Sequence, residues 1–117
     1  MAYMLLIHEQ VGQRLMRTED EGRAVYGRML DFAADLKARG LLLATESLAS
    51  QNEAARVQVR GDRTHVLDGP FAEAKEMVGG FFLIDCQTRE EAVAIAGQCP
   101  AAEWATLEIR ATGPCFI

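Results

Sequence analysis

Gly79-Gly80-Phe81-Phe82-Leu83-Ile84-Asp85-Cys86 opens on two glycines and runs through four apolar residues, and Thr88-Arg89-Glu90-Glu91 follows almost at once. The apolar run reads as a strand that is apolar on both faces. Thr88 and Glu91 form a capping box, in which the hydroxyl accepts from an orphan amide and the carboxylate reaches back to the chain entry. Ala92, Ile95, Ala96 and Cys99 then line one helical face, and Pro100 ends it. Thr106–Arg110 alternates as a final strand, with Leu107 and Ile109 on one side and Glu108 and Arg110 on the other. The second half of the chain is thus one β-α-β unit.

The first half repeats the pattern. Tyr3–His8 is a second strand apolar on both faces, although periodicity alone also allows a helical segment. Val11–Thr18 is a polar connection with room for a helical turn at Gln13–Met16. A helix then starts at a second capping box, Thr18 with Glu21, and Glu19, Asp20 and Glu21 suit the positive end of its dipole. Val25, Met29, Phe32 and Leu36 form one helical stripe, Asp35, Lys37 and Arg39 decorate the other side, and Gly40 is the left-handed stop. Gly22 and Gly27 each weaken the helix by about 1 kcal/mol relative to alanine. Leu41–Leu48 reads as the returning strand.

Between the two units, Ala49–Ala55 is a polar loop. Arg56-Val57-Gln58-Val59-Arg60 alternates, Gly61-Asp62-Arg63 is turn chemistry, and Thr64–Leu67 returns as a hairpin partner. Asp68–Val78 shows no period. The order β-α-β, hairpin, β-α-β predicts a ferredoxin-like α+β fold with one antiparallel sheet, as a single domain over residues 1–117. Its central strands are the first of each unit, which here are the two doubly apolar ones. Two helices cover one sheet face. The other face needs a cover as well, since an apolar patch of several hundred Å² is unusual on a monomer. A second copy supplies it most simply, so the expected assembly is a homodimer whose sheets face each other as an α+β barrel. The alternative is that the hairpin folds under the sheet.

The chain has 117 residues and a net charge of −5, a mass of 12.9 kDa, an isoelectric point near 5.0 and mean hydropathy near zero. A compact monomer of this mass exposes roughly 6,300 Å², about a third of its extended surface, which leaves enough burial for a core without staples. The acidic balance argues against sequence-independent nucleic-acid binding, which needs a basic footprint. No apolar run approaches the roughly 20 residues of a membrane helix. The N-terminus lacks the features of a signal peptide. Cys86, Cys99 and Cys115 are an odd number without CxxC spacing. Free thiols of this kind fit a reducing cytoplasm.

Phosphate loops, dinucleotide fingerprints, serine-hydrolase elbows and HExxH zinc motifs are absent from the sequence. No cofactor and no metal is expected. A metal on His8, His65 and a carboxylate is the minor reading, because a strand histidine is more often a hydrogen-bonded partner than a ligand. The unusual segment is Asp68-Gly69-Pro70-Phe71-Ala72-Glu73-Ala74-Lys75-Glu76-Met77-Val78-Gly79-Gly80. One reading makes it a structured connection, in which Asp68 caps, Phe71 plugs the core and the charges are solvated. The other makes it a ligand rim, with Glu46, Asp68, Phe71, Glu73, Lys75 and Glu76 bordering a pocket. There Phe71 is an apolar wall, Lys75 an anion contact, and Asp68 or Glu46 a proton acceptor. Asp85 and His8 are further titratable groups near strand ends. Asp68 and His8 are the candidates for any catalysis, as a desolvated carboxylate and a group titrating near neutrality.

Asp68-Gly69-Pro70-Phe71 with Glu73, Lys75-Glu76 and Gly79-Gly80 resembles the signature of the DGPF-domain branch of the YCII-related family. Tyr3–Ile7, Glu46-Ser47-Leu48 and Glu90-Glu91-Ala92 are similar too. The resemblance implies a dimeric α+β barrel. It also brings the family's proposed enzymatic role, which rests on a first-helix histidine paired with an aspartate. Counting back from Gly40, Met29 stands at that place, and a thioether transfers no protons near neutral pH, so that role does not carry over. Members of this branch accompany extracytoplasmic-function sigma factors. Three functions therefore compete. The first is a small-molecule-binding protein. The second is a cofactor-free enzyme of isomerase, lyase or oxygenase type. The third is an accessory partner of a sigma factor.

Overall fold

Tyr3, Leu5, Ile7 and Glu9 all turn to one side of the first strand and are buried, while Met4, Leu6 and His8 turn to the other and are half-buried. In the computed structural model, which describes residues 1–116, this strand is β1 (Ala2–Gln10). It is followed by a 3-10 turn at Gln13–Met16 and by α1 (Glu19–Ala38). Both bonds of the Thr18–Glu21 capping box are formed. The helix ends as its glycine requires, with Gly40 at φ 71°. β2 (Leu42–Ser47) closes the first unit.

β5 (Glu76–Asp85), α2 (Arg89–Gln98) and β6 (Thr106–Ala111) form the second unit. Thr88 caps α2 by accepting from the Glu91 amide, but the Glu91 carboxylate accepts from the Gln87 amide rather than completing the box on Thr88. The four strands form one antiparallel sheet in the order β2-β5-β1-β6, so the two doubly apolar strands are central, as their composition predicts.

Both central strands run further than their apolar letters. β5 begins at Glu76, inside the stretch that shows no period. The reason is a bulge: Ile7 pairs with Gly80 and His8 with Val78, leaving Gly79 as the extra residue. A bulge breaks the alternation of two while pairing continues beyond it.

Both helices lie on the face carrying Tyr3, Leu5 and Ile7. The core there joins Phe32 and Leu36 of α1 to Phe82 and Ile84 of β5 and to Ala92, Ile95 and Ala96 of α2. Phe32 and Phe82 meet edge to face, 5.2 Å between centroids. The other sheet face carries Met4, Leu6, Phe81 and Leu83, all half-buried, beside exposed Glu108 and Arg110.

The hairpin β3 (Ala55–Arg60) and β4 (Arg63–Asp68) forms a separate two-stranded sheet. It is exposed along its whole length, so it does not fold under the main sheet. Val57 and Val66 sit opposite each other and are 62% exposed each. The chain exposes 8258 Å², well above the roughly 6,300 Å² of a compact monomer of this mass. Its radius of gyration is 16.1 Å, against about 13 Å for a compact domain of this length. The projecting hairpin and the uncovered sheet face account for the difference.

Candidate functional site

Where α1 and the sheet present large residues to each other, Phe32 and Leu36 against Phe82 and Ile84, the space fills. About two to three turns toward the N-terminus of α1 the residues become smaller on both sides. The helix offers Gly22 and Val25, and the sheet offers Gly79, Gly80, Thr45 and Ser47. Small against small leaves a void, because a packed backbone closes only partly over missing side chains. The result is a cavity of about 380 Å³ between α1 and the β2 edge of the sheet. That volume lies within the range of small-molecule sites. Met29, Leu30 and Phe82 add apolar wall, and Tyr26 and Trp104 stand at the sides.

The polar end of this cavity is built on Glu9. Alternation carries Glu9 onto the core side of β1, where a lone carboxylate would be expensive. Arg14 meets it as a fork: Nε donates to Oε2 at 3.1 Å and a terminal nitrogen donates to Oε1 at 2.7 Å. Arg14 also donates to the carbonyl oxygens of Leu48, at 2.8 Å, and Gly79, at 3.5 Å. One guanidinium thus ties the ends of β1 and β2 to the bulge of β5. The chain reaches that position by turning at Gly12, whose φ of 89° is in the left-handed region.

Arg17 also lines the cavity, and its guanidinium carbon lies 5.5 Å from the centre of the Trp104 ring. Arg28 sits over the same ring at 5.6 Å but is paired with Glu103 at 2.6 Å. Gln13 donates to the Trp104 carbonyl at 2.9 Å and steadies this side.

The Asp68–Gly80 segment borders a different and more open hollow, on the sheet face away from the helices. His8, Glu76 and Val78 line it from the sheet, with Arg56 from β3 and Leu48, Gln51 and Phe71 from the loops, and it encloses about 710 Å³. The structure therefore brings together His8, Phe71 and Glu76. It does not bring Asp68, Glu73 or Lys75 to either cavity. Asp68 ends β4 opposite Ala55 and is exposed. Lys75 contributes its carbonyl, which accepts from the Val11 amide at 2.9 Å, and its side chain is exposed. Glu46 borders the first cavity, but the pleat puts its side chain on the opposite face from Thr45, level with Phe81. His8 Nε2 donates to Glu108 Oε1 at 2.7 Å.

The motif's own residues hold one another. The Gly69 amide donates to the Ala54 carbonyl at 2.7 Å, and the Phe71 amide donates to the side-chain oxygen of buried Gln51 at 3.1 Å. The Arg56 guanidinium covers the Phe71 ring at 3.8 Å, so Phe71 is a half-buried clasp rather than a plug in the core.

Sequence reasoning missed Glu9, Arg14, Arg17, Tyr26 and Trp104. One signal was legible. Glu9 continues the parity of Tyr3, Leu5 and Ile7, so a strand extended by one step buries a carboxylate that needs a cation.

A family model described as the YCII-related domain matches residues 1–113. An uncharacterised protein of Rhizobium meliloti (strain 1021) is 45% identical over 49 residues, which are 42% of this chain and 40% of that relative. The match thus spans about two fifths of the relative's length. Met29, at the place where the family resemblance puts a histidine, is part of the wall of the cavity beneath α1.

Proposed function

The chain belongs to the YCII-related domain family, and from that premise we propose that it is a homodimeric protein that binds a small organic molecule in the cavity beneath α1. The observation that carries this reading is the cavity itself. It has an apolar wall of Val25, Met29, Leu30 and Phe82 and a few convergent polar groups at one end. That is the usual make-up of a ligand site. The Glu9–Arg14 fork keeps this end rigid, so a ligand meets a preformed wall.

The dimer is supported by the surface excess and by the row Met4, Leu6, Phe81 and Leu83 on the uncovered face. Obligate interfaces bury roughly 2,000 Å² or more in total, and the apolar sheet face and the exposed valines of the hairpin are the surfaces such an interface would use. The three free thiols suit a reducing compartment such as the cytoplasm.

The test is a thermal-shift screen of the native protein against small organic acids, phenols and neutral apolar compounds. A ligand at a hundred times its Kd adds about 2.7 kcal/mol of stability. Gly22→Leu is the control. A Cβ at Gly22 meets nothing within 4 Å and the position lines the cavity, so a leucine there starts in open space and takes up part of the void. Compounds that shift native protein and not Gly22→Leu support the reading. Equal shifts in both proteins, or none in either, overturn it.

A further inference from the structure

Arg14 and Arg17 line the cavity beneath α1, Arg28 shares the Trp104 ring with Arg17, and two of these three arginines are paired with carboxylates. Arg14 is held by Glu9 at 2.7 Å and Arg28 by Glu103 at 2.6 Å. Among the described residues, no carboxylate lies within 4 Å of Arg17. Arg17 is half-buried, lines the cavity and stands over the Trp104 ring. The neighbouring carboxylates are engaged elsewhere. Glu9 is bound by Arg14, Glu21 accepts from the Thr18 amide at 3.0 Å, and Glu19 pairs with Arg23 at 2.7 Å. The Glu46 side chain is on the far sheet face. The Arg17 guanidinium acts on the Glu21 carboxylate through charge at longer range, but among the described residues it has no carboxylate in ion-pair contact and sits beside an apolar void. Its planar fork is suited to carboxylate, sulfonate and phosphate oxygens.

Resting on the reading that the cavity is a ligand site, we propose that its ligand is a small amphipathic monoanion. The charged head is received by Arg17 and the apolar or aromatic body lies against Val25, Met29 and Phe82. Trp104 stands beside the guanidinium, 5.5 Å from ring centre to guanidinium carbon, and adds to the apolar lining. Neutral molecules of the same shape bind the walls alone and so bind more weakly.

The test uses two fluorescent probes with one ring system, 8-anilino-1-naphthalenesulfonate and the uncharged N-phenyl-1-naphthylamine, titrated into the native protein. A charge-assisted contact on Arg17 favours the sulfonate by about tenfold or more. Arg17→Gln brings the sulfonate down to the level of the neutral probe and leaves the neutral probe unchanged, and Arg17→Lys recovers part of the preference. Equal affinities in the native protein, or a sulfonate affinity that Arg17→Gln does not alter, overturn the proposal. Gly22→Leu and Val25→Trp, each checked for native circular dichroism, separate this failure from failure of the cavity reading. If they abolish both probes while Arg17→Gln does nothing, the cavity stands and the anion preference falls. If both probes still bind these filled variants, the cavity reading falls and takes the proposal with it.

Discussion

Gly79 lacks a side chain because the Glu9 carboxylate lies where one would begin. A Cβ built on Gly79 would overlap Glu9 Oε1, and it would stand 3.2 Å from a terminal nitrogen of Arg14. The second glycine of the pair has a different reason: a Cβ on Gly80 would come within 2.8 Å of the Glu46 carbonyl oxygen on the neighbouring strand. The Gly-Gly pair thus combines a bulge that admits a buried ion pair with a close approach of two strands.

Gly79→Ala should therefore displace the Glu9–Arg14 fork. The expected cost is about 2 kcal/mol, below that of breaking a fully buried pair because Arg14 is about one-third exposed. Urea denaturation measures it. In a Glu9→Gln background the same substitution should cost at least about 1 kcal/mol less, since the clash is with a group no longer clamped. Additive costs would show that the two residues are not coupled.

Leu6 and Phe82 should separate assembly from folding. Leu6 is half-buried on the uncovered sheet face, whereas Phe82 is 3% exposed in the core against Phe32. If the proposed dimer forms, the native protein should sediment as a dimer and Leu6→Asp as a folded monomer in sedimentation equilibrium. Phe82→Ala should lose about 3–5 kcal/mol of stability.

Gly69 should prove the most sensitive residue of its motif. A Cβ there would overlap the backbone carbonyl oxygen of Gln51, and backbone cannot move aside as a side chain can. Gly69→Ala should cost about 2 kcal/mol or more, and Phe71→Ala about 1 kcal/mol from the lost stacking with Arg56 and its burial. Glu73→Ala and Lys75→Ala, on exposed side chains, should stay within about 0.5 kcal/mol in the same melts.

Thiol labelling should report three different sites. All three cysteines are free, with Cys115 exposed and Cys86 and Cys99 buried. Burial pushes both buried thiols up from the ordinary cysteine range, which leaves them protonated and unreactive. A maleimide should modify Cys115 quickly in the native protein, and the other two only after denaturation.

Acid stability should respond to the first helix cap. Hydrogen bonding from the Thr18 backbone and then its side chain, with Arg17 charge adding to it, holds the Glu21 carboxyl below the usual carboxylate range. A carboxyl depressed in the folded state stabilises above its unfolded pKa, and that contribution is lost as pH falls through the folded value. Glu21→Gln should therefore lower stability near neutrality and flatten the fall in Tm toward acid.

Much of the architecture was written in short-range pattern. The Thr18 and Thr88 caps, the stop at Gly40, the stripe through Phe32 and Leu36 and the two doubly apolar strands each depend on residues a few positions apart. Backbone geometry and amphipathic period act over that distance. These features predicted the element order and placed β1 and β5 at the centre of the sheet. The Asp68–Gly80 segment was recognisable as unusual, but its letters did not say that Gln51 and Arg56 from earlier in the chain would clasp Phe71. Nor did any local pattern contain the cavity. It needs Glu9 from β1, Arg14 and Arg17 from the connection, Val25 and Met29 from α1, Gly79 from β5 and Trp104 from the turn before β6. A cavity is the space that packing leaves unfilled. Its size and charge depend on how far apart the helix and sheet are held, and only the packed tertiary structure decides that distance.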